Sequence, residues 1–309
     1  MDFWTIFSQV LVLFLLILIG FIAGKKQMIT KDGAKEISTL VLYIALPALI
    51  IRSMQFDFSL SLLGHSLTMI GIAIAVYAGT ISISYLFARL LRAKGQEKDV
   101  LQTAMIFPNT GFMGYPITLG LYGSQGVFYT SLFNMPFDLL MWTVGVHLLS
   151  RSSNSSESKK KGFAALLNPG TISVAIGFAL FILSIKLPPI LDNTLSYLAN
   201  ATTPLAMLAV GSTLSRTKMN SIFSNKKLLM TAVIKVAVIP AIMISMFLLL
   251  KVDGYFLKIP ILITAMPVAA NVAIFATRYE SDALLASQLI FVTTLMSLVT
   301  IPVIALFLG

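Results

Sequence analysis

Residues 107–117 read F-P-N-T-G-F-M-G-Y-P-I and interrupt a long apolar segment of the chain. Pro108 has no N–H group with which to continue the helical hydrogen bonds, and Gly111, Gly114 and Pro116 weaken a helix further. In a membrane, non-helical backbone is tolerated only where protein buries it or where it lines a watered cavity. This stretch therefore predicts a broken transmembrane helix beside a site.

Apolar segments of membrane-spanning length surround this break. Of the 309 residues, 57% are hydrophobic and 11% are charged, whereas soluble domains carry about 25% charged residues. Runs of about 20 apolar residues are long enough to cross a bilayer as helices. The predicted fold class is an all-α integral membrane protein with ten transmembrane helices. The spans are approximately 3–23, 36–55, 64–90, 99–120, 124–149, 168–187, 190–214, 226–250, 257–277 and 282–308.

One Ser-rich, charged segment divides these spans into two sets of five. Residues 150–162 read S-R-S-S-N-S-S-E-S-K-K-K-G, a composition that cannot pack a core. Residues 150–167 are therefore predicted to form a flexible cytoplasmic linker. Because each half has an odd number of crossings, residues 1–149 and 168–309 are predicted to be inverted five-helix repeats.

Prolines recur at matching places in the two halves. Pro47 and Pro204 lie 157 residues apart in the second and seventh spans, and Pro108 and Pro267 lie 159 residues apart in the fourth and ninth. The agreement of these offsets to within two residues favours a real repeat. The ninth span contains M-P-V-A-A-N-V-A-I-F-A at residues 266–276 and is predicted to break like the fourth.

The basic residues indicate membrane topology. Sixteen Lys and Arg residues lie in the first, third, fifth and seventh loops, and four lie in the second, fourth, sixth and eighth. The positive-inside rule makes the odd-numbered loops cytoplasmic and places both termini outside the cytoplasmic membrane. The net charge of +10 is spread over loops instead of one basic face, so it does not predict a nucleic-acid partner.

No catalytic motif is complete in this chain. It has no Cys, no G-x-S-x-G and no H-E-x-x-H, and the phosphate-loop pattern is also missing. We therefore expect no enzymatic activity, no cofactor and no metal site.

The two broken helices suggest a binding site for a small organic anion. Half-helices that begin near Thr110 and after Pro267 would direct N–H groups and positive dipole ends at one cavity. Asn109, Thr110 and Asn271 would add side-chain donors. The alternative is that both prolines produce simple kinks that neighbouring helices compensate.

Two charged side chains lie deep in predicted spans, Asp138 in the fifth and Lys235 in the eighth. Burying either one without a partner costs about 2.5 to 3.5 kcal/mol. Three interpretations remain open: the two residues pair structurally, Asp138 binds a coupling proton or cation, or Lys235 neutralises a substrate carboxylate. Asn134 lies one turn before Asp138 and would project from the same helix face.

Several motifs resemble those of the auxin efflux carrier family over essentially the whole chain. They are the Pro-Asn break of the fourth span, the M-P-x-x-x-N of the ninth, the Asn168-Pro169 pair that opens the sixth, and the five-plus-five layout around a cytoplasmic linker. This family includes the plant PIN-formed auxin exporters and bacterial permeases assigned to malate and similar organic acids. The linker of fewer than 20 residues fits a bacterial carrier.

The resemblance implies an elevator-type carrier. Spans 1, 2, 6 and 7 would form a scaffold, and spans 3, 4, 5, 8, 9 and 10 a mobile transport domain. The substrate would bind where the fourth and ninth spans cross, at Pro108, Asn109, Pro267 and Asn271, with Asn134 as the polar amide of the fifth span. The expected partners are this substrate and the lipid bilayer.

Other functions and assemblies remain open from the sequence. A channel or a membrane sensor would also bind an organic anion through broken helices, and a sodium-coupled bile-acid-type symporter is a further alternative. Gly20 and Gly24 form a small-xxx-small pair that indicates either close packing inside the bundle or a dimer seam. A homodimer through the scaffold helices is therefore one of the open assemblies.

Overall fold

The computed structural model describes residues 3–152, 169–216, 222 and 225–308, and every regular element in these ranges is helical. Within these described ranges, four π-helical turns interrupt the helices, at Val41–Ala45, Thr110–Gly114, Met141–Gly145 and Ile234–Val238. The α-helices are α1 (Phe3–Lys25), α2 (Lys31–Leu40), α3 (Leu46–Ser53), α4 (Leu60–Leu90), α5 (Gly95–Ile106), α6 (Tyr115–Leu140), α7 (Val146–Ser150), α8 (Pro169–Ile182), α9 (Pro189–Leu214), α10 (Lys226–Val233), α11 (Ile239–Leu249), α12 (Gly254–Thr264), α13 (Ala270–Arg278) and α14 (Ala283–Leu308). The predicted linker lies outside the described residues from residue 153 onward.

Several helical stretches have the length and composition of membrane spans. Four of the described stretches are long and apolar enough to cross a bilayer: Lys31–Ser53, Leu60–Leu90, Lys226–Leu249 and Ala283–Leu308. Shorter apolar helical segments are Leu11–Lys25, Pro169–Ile182 and Gly254–Thr264. The predicted class of an all-helical membrane protein is therefore confirmed for the described part of the chain.

The helices pack mainly within two groups. Helices α1, α2, α3, α8 and α9 form the first group, and α4 to α7 with α10 to α14 form the second. In the first group, a Cβ atom on Gly20 would collide with the backbone of Leu208, and one on Gly211 would collide with the backbone of Ile17. Gly24 likewise faces Ser212 and Ser215 of this region. The Gly20 and Gly24 pair thus packs inside the bundle against α9 instead of leaving a dimer seam.

Both predicted helix breaks are present. Helix α5 ends at Ile106, and helical structure resumes at Thr110. Helix α12 ends at Thr264, and α13 begins at Ala270. The first break contains Pro108 and the second contains Pro267. Each helix is interrupted there because proline lacks the N–H that an uninterrupted helix needs.

Candidate functional site

The two breaks meet and form a short antiparallel bridge between Pro108 and Val268. The N–H of Asn109 donates to the carbonyl of Pro267 at 2.8 Å, and the N–H of Ala269 donates to the carbonyl of Phe107 at 3.0 Å. We call this pairing of residues 107–109 with residues 267–269 the crossing. Its two hydrogen bonds satisfy backbone groups that the interrupted helices leave without partners.

Side chains support the backbone around the crossing. The Oδ1 atom of Asn109 accepts a hydrogen bond from the N–H of Phe112 at 3.3 Å and so caps the resumed helix. The Oγ1 atom of Thr293, in α14, accepts from the N–H of Val268 at 3.1 Å. Asn109 was predicted as a donor to a ligand, and the structure shows that it also has this capping role.

Three backbone N–H groups at the two half-helix starts have no acceptor among the described residues. They belong to Gly111, Ala270 and Asn271, whose positions in the first helical turn deprive them of a helical partner. The N–H of Thr110 itself donates to the carbonyl of Pro108 at 2.9 Å. The unpartnered donors thus lie at the starts of the two half-helices.

A cavity of about 230 Å³ lies at these half-helix starts. Its lining comes from both packing groups: the α2–α3 stretch and the start of α8 from one, and α6, α13 and the π-turn Thr110–Gly114 from the other. The lining contains no charged side chain among the described residues. The polar residues of the lining include Asn109, Thr110, Ser131, Asn134, Thr171 and Asn271, and the apolar ones include Leu42, Leu46, Phe112, Phe137, Val174 and Phe275.

Two polar atoms of this lining are buried without a hydrogen-bond partner in the described structure. They are the hydroxyl oxygen of Thr110, a residue that is 2% exposed, and the side-chain oxygen Oδ1 of Asn134. Buried polar groups without partners are rare and indicate a missing ligand or water. The amide of Asn134 can rotate to present its NH₂ group instead, so both residues can donate to a bound anion.

Six of the predicted site residues lie at or next to the cavity. Pro108, Asn109, Thr110, Asn134 and Asn271 all line the cavity, and Pro267 lies directly behind it in the crossing.

The two predicted charged residues are not part of the described lining. Lys235 is 1% exposed, and its Nζ atom lies 3.4 Å from the carbonyl oxygen of Met105. The backbone of Asp138 belongs to α6, but its side chain lies outside the described part of the structure. The predicted pairing of Asp138 with Lys235 therefore stays a prediction. No group of three His, Asp or Glu residues in the described ranges is placed to hold a metal ion.

Sequence reasoning missed two contributors to the site. The start of α8, at Pro169, Gly170 and Thr171, lines the cavity, although no local pattern marked it as a site. Thr293, which supports Val268, lies 159 residues after Asn134. That separation equals the one between Pro108 and Pro267, so the predicted repeat contained the signal.

A bundle of apolar helices with a polar cavity at two opposed helix breaks defines a membrane transport protein of the multi-pass class. The chain belongs to the family described as membrane transport protein, which matches it over residues 5–305. This match confirms the resemblance to the auxin efflux carrier family.

Relatives from three organisms span nearly the whole chain. An uncharacterised transporter of Methanocaldococcus jannaschii is 26% identical, over 94% of this chain and 95% of its own. A protein of Rhizobium meliloti named as a candidate malonate transporter is 26% identical, over 94% of this chain and 92% of its own. The mouse lysosomal cholesterol signaling protein is 29% identical over 96% of this chain, which corresponds to 37% of that longer protein.

Proposed function

We propose that this protein is a secondary transporter that carries a small organic anion across the cytoplasmic membrane. The observation that carries this proposal is the cavity at the crossing, where the N–H groups of Gly111, Ala270 and Asn271 and the hydroxyl of Thr110 have no hydrogen-bond partner among the described residues. Helix N-termini with free N–H groups favour negative charge through hydrogen bonding and through the helix dipole.

The lining favours an anion with one carboxylate and an apolar body. The lining combines backbone and side-chain donors with apolar surface from Leu42, Phe137, Val174 and Phe275. No Lys or Arg of the described residues lines the cavity to neutralise a second carboxylate, and an uncompensated buried charge is costly. A monocarboxylate therefore fits this chain better than a dicarboxylate such as the malonate in the name of the Rhizobium relative.

The transport mechanism that we propose is an elevator built from ten spans in two inverted repeats. The two packing groups of helices support this proposal, because their members fall in the spans that the family resemblance implies for a scaffold and a transport domain. The cavity has walls from both groups, so a movement of one group past the other would change the side from which a ligand reaches it.

A binding and flux experiment tests this function. We expect benzoate and phenylacetate to raise the melting temperature of the purified protein, because a ligand that binds the native state stabilises it by mass action. The uncharged phenylacetamide is the matched control and should give no shift, and malonate should give a smaller shift than phenylacetate. Stronger stabilisation by malonate, or equal shifts by the amide and the acid, would contradict the proposed specificity.

Flux measurements in proteoliposomes separate the remaining functions. A carrier shows saturable uptake and counterflow, a channel shows neither, and a sensor binds without flux. We expect saturable counterflow of the best ligand from the melting experiment. Uptake that requires Na⁺ would instead favour the sodium-coupled symporter.

The proposed topology places both termini outside and the linker in the cytoplasm. Because the chain has no Cys, single cysteines can be introduced without removing others. Cysteine at the exposed Ser152, at the start of the predicted linker, should react only from the cytoplasmic side, and cysteine at the exposed Asn193, in α9, should react only from outside. The reverse pattern of labelling would contradict the topology.

A further inference from the structure

Lys235 is buried beside the end of a broken helix. It lies in the π-turn Ile234–Val238 between α10 and α11, and its side chain is 1% exposed. None of the ion pairs among the described residues includes it. Its ammonium group instead donates to the carbonyl of Met105, in the last turn of α5, at 3.4 Å.

The break in α5 explains why this carbonyl is available. In a continuous helix, the carbonyl of Met105 would accept from the N–H of Asn109, but that N–H donates to Pro267 across the crossing. The preceding carbonyl, of Ala104, would need an N–H from Pro108, which has none. Helix α5 therefore ends with unsatisfied carbonyls at the negative end of its dipole, where a cation is stabilised.

The position of Lys235 is set by the packing of two helices. Helices α5 and α10 are also joined by an ion pair between Glu97 and Lys227 at 2.6 Å. The two members of that pair are 130 residues apart in sequence, and so are Met105 and Lys235. The two helices thus lie side by side in a constant register, which directs the ammonium group to the end of α5.

We propose that Lys235 is a positioning residue for the anion site: a tethered cation that replaces the missing helical donors at the end of α5. By fixing the last turn of α5, it fixes residues 107–109 and hence the crossing. The half-helix that follows the crossing then directs its first N–H groups at the cavity. It also places a positive charge behind a site whose described lining has none. This inference rests on the proposed function for its anion-binding readout.

Chemical rescue tests the role of the ammonium group. Lys235→Ala removes the atoms of a propylammonium ion, and we expect it to weaken the binding of phenylacetate at least tenfold. Propylammonium in the assay should restore part of that loss, whereas an equal concentration of tetramethylammonium should not. Lys227→Ala is the matched control, because this lysine lies in α10, the helix that leads into the π-turn of Lys235, but is partly exposed and paired with Glu97; its phenylacetate affinity should stay within twofold of the wild type.

Phenylacetate affinity in Lys235→Ala within twofold of the wild type would overturn the assignment, and so would a loss that propylammonium does not restore. If Lys235→Ala does not fold, the variants Lys235→Arg and Lys235→Met test the same role of the positive charge. We expect Arg to retain more affinity than Met, because Arg keeps the charge, and equal affinities would contradict the role of the charge.

The proposed function and this inference can fail separately. If the wild type binds no carboxylate, the proposed function is wrong, and the melting temperature of Lys235→Ala still tests the tethered cation. Propylammonium should raise that temperature in the variant and not in the wild type. Equal effects on both proteins would overturn the inference.

Discussion

The two helix breaks that meet at the crossing are supported in different ways. At the first break, the side chain of Asn109 caps the helix that it precedes. At the second break, the residue at the equivalent cap position is Ala269, which has no side-chain acceptor. Support for the second break comes from Thr293, a residue of α14 that accepts from the N–H of Val268.

This difference assigns separate roles to residues that look equivalent in the sequence. Asn109 belongs both to the helix cap and to the cavity lining, so one substitution there affects folding and binding together. At the second break these roles are divided between Thr293, which supports the backbone, and Asn271, which lines the cavity. Two breaks of similar sequence therefore need not combine backbone support and cavity lining in the same residue.

The largest expected effect is that of Asn109→Ala. Loss of the cap should cost about 1 kcal/mol of stability, and loss of a donor to a charged ligand should cost about 1.5 to 3 kcal/mol of binding. Melting temperature and phenylacetate affinity measure the two effects. Asn225→Ala is the control, because Asn225 caps α10 through the N–H of Leu228 in the same way but does not line the cavity. Equal loss of affinity in both variants would show that the effect of Asn109→Ala does not depend on the position of Asn109 in the cavity lining.

Thr293→Val should lower the free energy of unfolding by about 2 kcal/mol, because it leaves the buried N–H of Val268 without an acceptor. Thr294→Val is a matched control, since the neighbouring Thr294 is also buried but its hydroxyl only donates to the carbonyl of Ile290 within its own helix. Thermal unfolding of the two variants should therefore differ. Equal stability of the two variants would show that Thr293 does not support the second break.

Asn271→Ala should weaken anion binding by about 1.5 kcal/mol, roughly tenfold, through loss of one hydrogen bond to a charged group. Its melting temperature without ligand should stay at the wild-type value, because no described hydrogen bond of the crossing depends on its side chain. Titration with phenylacetate and a melt of the unliganded variant measure the two quantities. A large drop in stability without a change in affinity would reverse the division of roles at the second break.

The smallest effect concerns an ion pair in a loop away from the crossing. The hydrogen bond and charge of Lys186, 2.8 Å away, hold the pKa of Asp57 below its usual value of 3.8. This pair contributes to stability above the unfolded-state pKa, and the contribution is lost as pH falls through the lower folded-state value. Asp57 is almost fully exposed, so the contribution is small.

We therefore expect Asp57→Asn to have the same dependence of melting temperature on pH as the wild type between about pH 5 and pH 8, where Asp57 is ionised in both the folded and the unfolded state. The two curves should converge only below about pH 4. Divergence near neutral pH would show that this loop is coupled to groups that titrate there.

Local chemistry determined the membrane helices and the places where they break. Apolar runs of bilayer length predict helices because no other open structure satisfies the backbone in lipid, and Pro108 and Pro267 end α5 and α12 because proline cannot donate. The amides Asn109 and Asn271 were identifiable for a related reason: polar side chains beside a break in an apolar segment are costly unless they serve a site. Asn134 was indicated instead by its position one turn before Asp138 and by the family resemblance.

The contacts that make these breaks into a site arise only in the tertiary structure. The bridge from Pro108 to Val268 and the hydrogen bond from Lys235 to Met105 each join residues more than 100 positions apart. Both depend on which carbonyls and N–H groups remain unpaired once the two broken helices meet. Sequence patterns report the local loss of a helical partner, whereas the choice of the new partner is made by the packing of distant segments.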